Sequence, residues 1–109
     1  MNSCSCNGST TLACNISQID PLQKTHYFNL RKDLTENLQV EEISCGYTFV
    51  FENTPTMLLK IAEWITFENL CCPFIRFSLH ISGDDPTIRL DMTGNDQVKS
   101  LIQNEFNIA

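Results

Sequence analysis

Residues 46–73 read GYTFVFENTPTMLLKIAEWITFENLCCP, and the change of period inside this stretch decides the fold. Tyr47, Phe49 and Phe51 alternate with Thr48 and Val50, a period of two that belongs to a strand with an apolar face. Thr54 and Pro55 stop that strand, because proline has no N–H to give a ladder. They also open a helix, where the first N–H groups lack an intrahelical partner anyway. From 56 to about 72 the residues Leu58, Ile61, Ala62 and Ile65 fall on one stripe, with Lys60, Glu63 and Thr66 on the polar arc. Pro73 cannot continue the helix and moves the preceding residue away from helical angles, so Cys71 and Cys72 stand at or just beyond its last turn.

The same patterns extend outward. Upstream, Asp20 and Pro21 predict an N-cap and first helical position, and Tyr27, Leu30 and Leu34 keep helical spacing to about Asn37. Leu38 and Val40 then alternate into Ile43, which predicts a strand and a hairpin turning near Gly46. Downstream, Ile75, Phe77, Leu79 and Ile81 alternate with Arg76, Ser78 and His80. Gly83-Asp84-Asp85-Pro86 turns the chain into Ile88, Leu90 and Met92. Gly94-Asn95-Asp96 ends that strand and caps a last helix that turns Val98, Leu101, Ile102 and Phe106 inward. The predicted order is α-β-β-α-β-β-α. Amphipathic strands in short hairpins imply an α+β two-layer fold, a four-stranded antiparallel sheet with helices on one face. The other face carries Arg76, Ser78, His80, Arg89 and Asp91, and is either solvated or the contact surface of a homodimer.

The chain's 109 residues and 42% hydrophobic content suit one domain, over 14–109. Residues 1–13 hold Cys4 and Cys6 among small polar side chains with one leucine, and read as a flexible tail. Seven basic against thirteen acidic residues give a net charge of -6, which disfavours nucleic acid and anionic membranes as partners. There is no apolar run of membrane-spanning length. The first basic residue is Lys24, too late for the start of a signal peptide, so a soluble, cytoplasmic protein is expected.

Six cysteines are the compositional excess. In a reducing cytosol they are expected as free thiols. A bridge between the adjacent Cys71 and Cys72 would be strained, since trans-linked Cα atoms about 3.8 Å apart are closer than the roughly 4.4–6.8 Å a disulfide prefers. A free cysteine is a small buried apolar residue or a soft ligand. Glu68 lies three residues before Cys71 and four before Cys72, so the three side chains gather over one turn, Cys72 in the middle of the apolar stripe and Glu68 on its edge. A carboxylate there requires a basic partner, a proton or a metal, because burying it unpaired costs several kcal/mol. The negative end of the helix, with Glu68, disfavours a free thiolate, which weighs against an unaided nucleophile. A coordinated ion displaces the thiol proton in spite of that field.

The segment from Trp64 to Phe77, W-I-T-F-E-N-L-C-C-P-F-I-R-F, resembles a family of small bacterial cysteine proteins with a Glu-x-x-Cys-Cys-Pro-Phe-x-x-Phe signature. The signature falls here on Glu68, Cys71, Cys72, Pro73, Phe74 and Phe77. The likeness extends from Ala13-Cys14 through Gly46-Tyr47 to Leu90, Thr93 and Gly94. Such proteins are met near heavy-metal, notably mercury, resistance functions. The resemblance implies a thiol site of Cys71 and Cys72 with Cys14 as third member; Cys4 and Cys6 precede the matching region and inherit no role from it. Soft sulfur ligands suit Hg(II), Cu(I) or Zn(II), and the preference for mercury comes from the resemblance.

The leading expectation is a metal-binding thiol protein that sequesters or transfers a soft ion through Cys71, Cys72 and Cys14, with Glu68 beside them. Two rivals stand. One is a thiol-dependent enzyme, for exchange or organometal cleavage, with Cys71 or Cys72 as nucleophile and Glu68 as proton donor. The other is a metal-free dimeric interaction module with the cysteines as core filling. Cys45 beside its turn reads as incidental, His26 and His80 as surface residues, and Trp64, Phe67, Phe74 and Phe77 as packing. There is no phosphate loop, dinucleotide fingerprint, HExxH or nucleophile elbow, which removes the common nucleotide, zinc-protease and hydrolase chemistries.

Overall fold

Each apolar stripe in the chain finds a layer to face. The computed structural model describes residues 13–108, so the tail expected over 1–13, with Cys4 and Cys6, lies outside the described residues except for Ala13. Two 3-10 turns, Ile16–Gln18 and Pro21–Gln23, lead into α1 (Lys24–Thr35). Asp20 accepts from the Leu22 N–H, as an N-cap before proline should, yet the α-helix proper begins at Lys24. It ends two residues before Asn37, whose φ of 57° is a left-handed conformation that asparagine tolerates better than most residues.

Strands β1 (Gln39–Ile43) and β2 (Gly46–Glu52) form the first hairpin, and β3 (Arg76–His80) and β4 (Thr87–Thr93) the second. Between them runs α2 (Pro55–Cys71), whose N-cap Thr54 accepts from the Met57 N–H. The last helix, α3 (Asp96–Glu105), is capped by Asn95, which accepts from the Val98 N–H at 3.0 Å. Its end is closed by Asn107 at φ 53° and by the Ile108 N–H donating to the Gln103 carbonyl, a Schellman arrangement.

The sheet order is β1-β2-β4-β3, with every neighbouring pair antiparallel. The hairpins therefore join through β2 and β4, and α2 carries the chain over β4. Cross-strand pairs Tyr47–Met92, Phe49–Leu90 and Phe51–Ile88 put the apolar residues of β2 and β4 on one face. That face meets Ile61 and Trp64 of α2 and Val98 and Ile102 of α3 in a single core. Phe49, Trp64 and Phe106 pack as an aromatic cluster, Phe106 edge-on to both others at ring distances of 5.1 and 5.9 Å. This is the α+β two-layer fold of the sequence pattern.

Gly46 is not the turn residue of the first hairpin; it is the first residue of β2, paired with Ile43 on one side and Thr93 on the other. On the opposite face of the sheet the expected polar residues are tied to one another. Thr48 donates to Asp91 at 2.6 Å, Asp91 contacts His80 at 3.0 Å, and Arg89 reaches both carboxylate oxygens of Glu41. Beneath these links Thr48 and Val50 are buried, so this face covers itself in part with its own ion pairs. Among the described residues no helix is long and apolar enough to cross a membrane.

Candidate functional site

Pro73 ends α2, and the site forms where the helix stops. The Cys72 N–H donates to the Glu68 carbonyl at 2.7 Å, and Cys72 then leaves helical angles at φ -129° and ψ 66°. The segment before α1 folds back over this end: the Asn15 N–H donates to the Cys71 carbonyl at 2.7 Å, satisfying one of the acceptors a helix C-terminus leaves open. That contact brings Cys14 beside Cys72. The two are joined in a disulfide across 58 residues of sequence, with Cα atoms 4.7 Å apart.

This corrects the expectation of free thiols. A bridge within the adjacent pair is disfavoured, but Cys14 approaches from another part of the chain at a separation that suits a disulfide. Cys45 is disulfide-bonded as well and so is not an incidental turn residue. Among the described residues Cys71 is the free thiol, and it is fully buried.

Three of the expected site residues meet with their ligand atoms close together: one atom each from Cys14, Glu68 and Cys72 lies within 4.8 Å of the others. Cys71 joins them, its Sγ 3.8 Å from Cys72 Sγ and 3.8 Å from Glu68 Oε1, which is itself 3.6 Å from Cys72 Sγ. All four residues named from the sequence are therefore in one cluster. Cys71, Cys72 and Glu68 are buried and Cys14 is half-buried.

Glu68 is 3% exposed, and its partner was missed in the sequence. The Tyr27 hydroxyl donates to Glu68 Oε2 at 2.5 Å. Arg31, one turn further along α1, adds positive charge near both groups while its own guanidinium bonds Glu105 and lies 4.5 Å over the Phe106 ring. Burial raises the Glu68 carboxyl above its ordinary pKa, and the Tyr27 hydrogen bond and Arg31 charge only partly oppose it. Burial and the adjacent carboxylate likewise push the Cys71 thiol up to about 11, and they raise the Tyr27 phenol as well. The signal that could have found this link is Tyr27 itself, because a tyrosine on a core stripe needs a partner for its hydroxyl.

His26 pairs with Glu63 at 2.9 Å on the outer surface between α1 and α2, and Phe67 packs edge-on to Tyr27 at 5.7 Å, as packing residues do. Chemically the cluster offers one thiol, one disulfide and one carboxyl in a site closed from water on the helix side. When the disulfide is reduced it offers three sulfurs. Comparisons with protein-family models, with curated proteins and with solved structures find no match to this chain.

Proposed function

We propose that this domain is a thiol protein that takes up a soft heavy or transition metal ion through Cys14, Cys71 and Cys72 in their reduced state, for sequestration or transfer. The observation that carries the reading is the convergence of three sulfurs and the Glu68 carboxyl on the end of α2. Three thiolates suit trigonal binding of Hg(II) or Cu(I). Glu68 as fourth donor would suit Zn(II). The likeness of the Glu68 to Phe77 segment to proteins found near mercury resistance favours Hg(II). A cytoplasmic location would keep the site reduced.

The electrostatics favour an ion over an unaided nucleophile. A thiol with a pKa of about 11 is almost wholly protonated at neutral pH. A metal–sulfur bond supplies the free energy that removes the proton in spite of the burial and the adjacent carboxylate.

The test is titration of the reduced protein with Hg(II), Cu(I) and Zn(II), in a background with Cys4, Cys6 and Cys45 changed to serine so that other thiols do not compete. One ion per chain is expected. It should be lost in the further Cys71→Ser/Cys72→Ser variant and weakened in Cys14→Ser; equal binding by all would eliminate the site.

A further inference from the structure

We infer that Cys14 is the point of attack at which a dithiol reductant opens this site, and that Cys72 is the sulfur that leaves. The inference rests on reading the three sulfurs as one centre, and it concerns what controls that centre. Disulfide exchange needs a thiolate to approach one sulfur along the S–S axis, so the accessible sulfur is the one attacked. The two sulfurs here are unequal. Cys72 has no exposed surface and belongs to the hydrophobic core, whereas Cys14 is half-buried and lies in a segment without regular structure ahead of the first 3-10 turn. Next to Cys14, Asn15 is exposed on the surface but tied through its N–H to the Cys71 carbonyl, so the segment is held in one place for a reductant to meet.

The step balances. A thiolate of the dithiol forms a bond to Cys14 Sγ, the Cys14–Cys72 bond breaks, and Cys72 leaves with the electron pair. The proton given up by the attacking thiol is matched by the one Cys72 takes up. The second thiol of the reductant then attacks its own sulfur in the mixed disulfide, releasing Cys14 as a thiol and leaving the reductant oxidised. Cys72 departs beside the Cys71 thiol, whose Sγ lies 3.8 Å away and can donate its S–H to the departing sulfur, with Glu68 Oε1 at 3.6 Å. Departure from Cys14 instead would leave the mixed disulfide on a sulfur with no room for a second group. A disulfide and a bound ion need the same sulfurs, so the oxidised chain is closed to metal and two electrons open it.

The experiment exposes the oxidised, full-length wild-type protein briefly to reduced glutathione, a monothiol that stops at the mixed disulfide. The reaction is quenched in acid, free thiols are capped with N-ethylmaleimide under denaturing conditions, and the adducts are mapped by peptide mass spectrometry. Glutathione is expected on Cys14 and maleimide on Cys72, with Cys14 favoured by at least about tenfold. Glutathione chiefly on Cys72, or no adduct on the native protein under conditions that modify both sulfurs of the denatured one, would overturn the inference. No ion enters this measurement. A Cys14 adduct with no metal uptake by the reduced protein would sink the metal reading alone, and metal uptake with a Cys72 adduct would sink the attack at Cys14 alone.

Discussion

The hydroxyl of Tyr27 and the carboxyl of Glu68, 41 residues apart in sequence, meet at 2.5 Å in the interior between α1 and α2. The hydrogen bond answers the problem that Glu68 poses: a helix that must turn this residue inward to reach the sulfurs also takes its charge out of water. Tyr27→Phe removes the donor and keeps the ring, so it leaves a buried acceptor without its partner. It is expected to destabilise the fold by about 1–3 kcal/mol, measured by urea denaturation.

Glu68→Gln separates the charge from the hydrogen bond, because the amide oxygen still accepts from Tyr27. The Glu68 pKa is raised in the folded state, with burial as the largest cause. As pH rises above the ordinary carboxylate range the unfolded chain ionises first, and stability falls until the pH passes the folded pKa; below that range the two states are protonated alike. The stability of Glu68→Gln relative to wild type should therefore grow as pH rises above about 4 until the folded carboxyl ionises as well, by denaturation at each pH. A constant difference would mean that Glu68 titrates in the fold as it does in water.

The Cys71 thiol should be silent in the native protein. With a pKa pushed up to about 11 and no exposed surface, roughly one molecule in ten thousand carries the thiolate at pH 7. Iodoacetamide labelling followed by mass spectrometry should find Cys71 unmodified in the folded chain and fully modified in denaturant. The same shift predicts a loss of stability as pH rises from about 9 toward 11, since the unfolded thiol ionises before the folded one.

The disulfide closes a loop across a sequence separation of 58. Chain entropy assigns such a closure up to about 4 kcal/mol, reached when the native geometry is unstrained and the reduced chain keeps no residual order. Cys14→Ser is expected to cost about 2–4 kcal/mol in denaturation under non-reducing conditions, and to lose nothing further on adding dithiothreitol beyond the effect of the Cys45 disulfide. A variant as stable as wild type would mean that the Asn15–Cys71 hydrogen bond and the burial of Ile19 hold the segment unaided.

How much of this was legible depends on how far apart the interacting residues are in sequence. The strand and helix of residues 46–73 were readable because period two and period 3.6 are local properties. Both hairpins followed from turns within a few residues. The stripe around α2 even placed Glu68 where a partner was obligatory. The strand order was not readable, because the pairing of Tyr47 with Met92 joins two hairpins that carry no mark of each other. The link from Tyr27 to Glu68 was hidden for the same reason. The Cys14–Cys72 bond had a further obstacle, since spacing cannot state the redox state of a thiol. The reducing compartment assumed from composition pointed to free sulfurs.

Gly46 offers a test of the fold that is independent of the site. It sits between β1 and β4 at the start of β2, opposite Thr93, and its φ is not positive, so conformational freedom is not why a glycine stands there. Space is the reason. A Cβ at this position would collide with the Met92 carbonyl oxygen and lie 2.9 Å from the Thr93 Cα, and both are backbone atoms that a rotamer change cannot move. Relieving the clash requires β2 and β4 to part at the register that joins the hairpins. Gly83, in the turn before β4, has nothing within 4 Å of the same added atom. Gly46→Ala is therefore expected to cost about 1–3 kcal/mol, in the range of overpacked cores, and Gly83→Ala less than about 0.5 kcal/mol. Thermal denaturation of the two variants side by side reads the difference. Equal midpoints would show that β2 and β4 do not approach each other at this register.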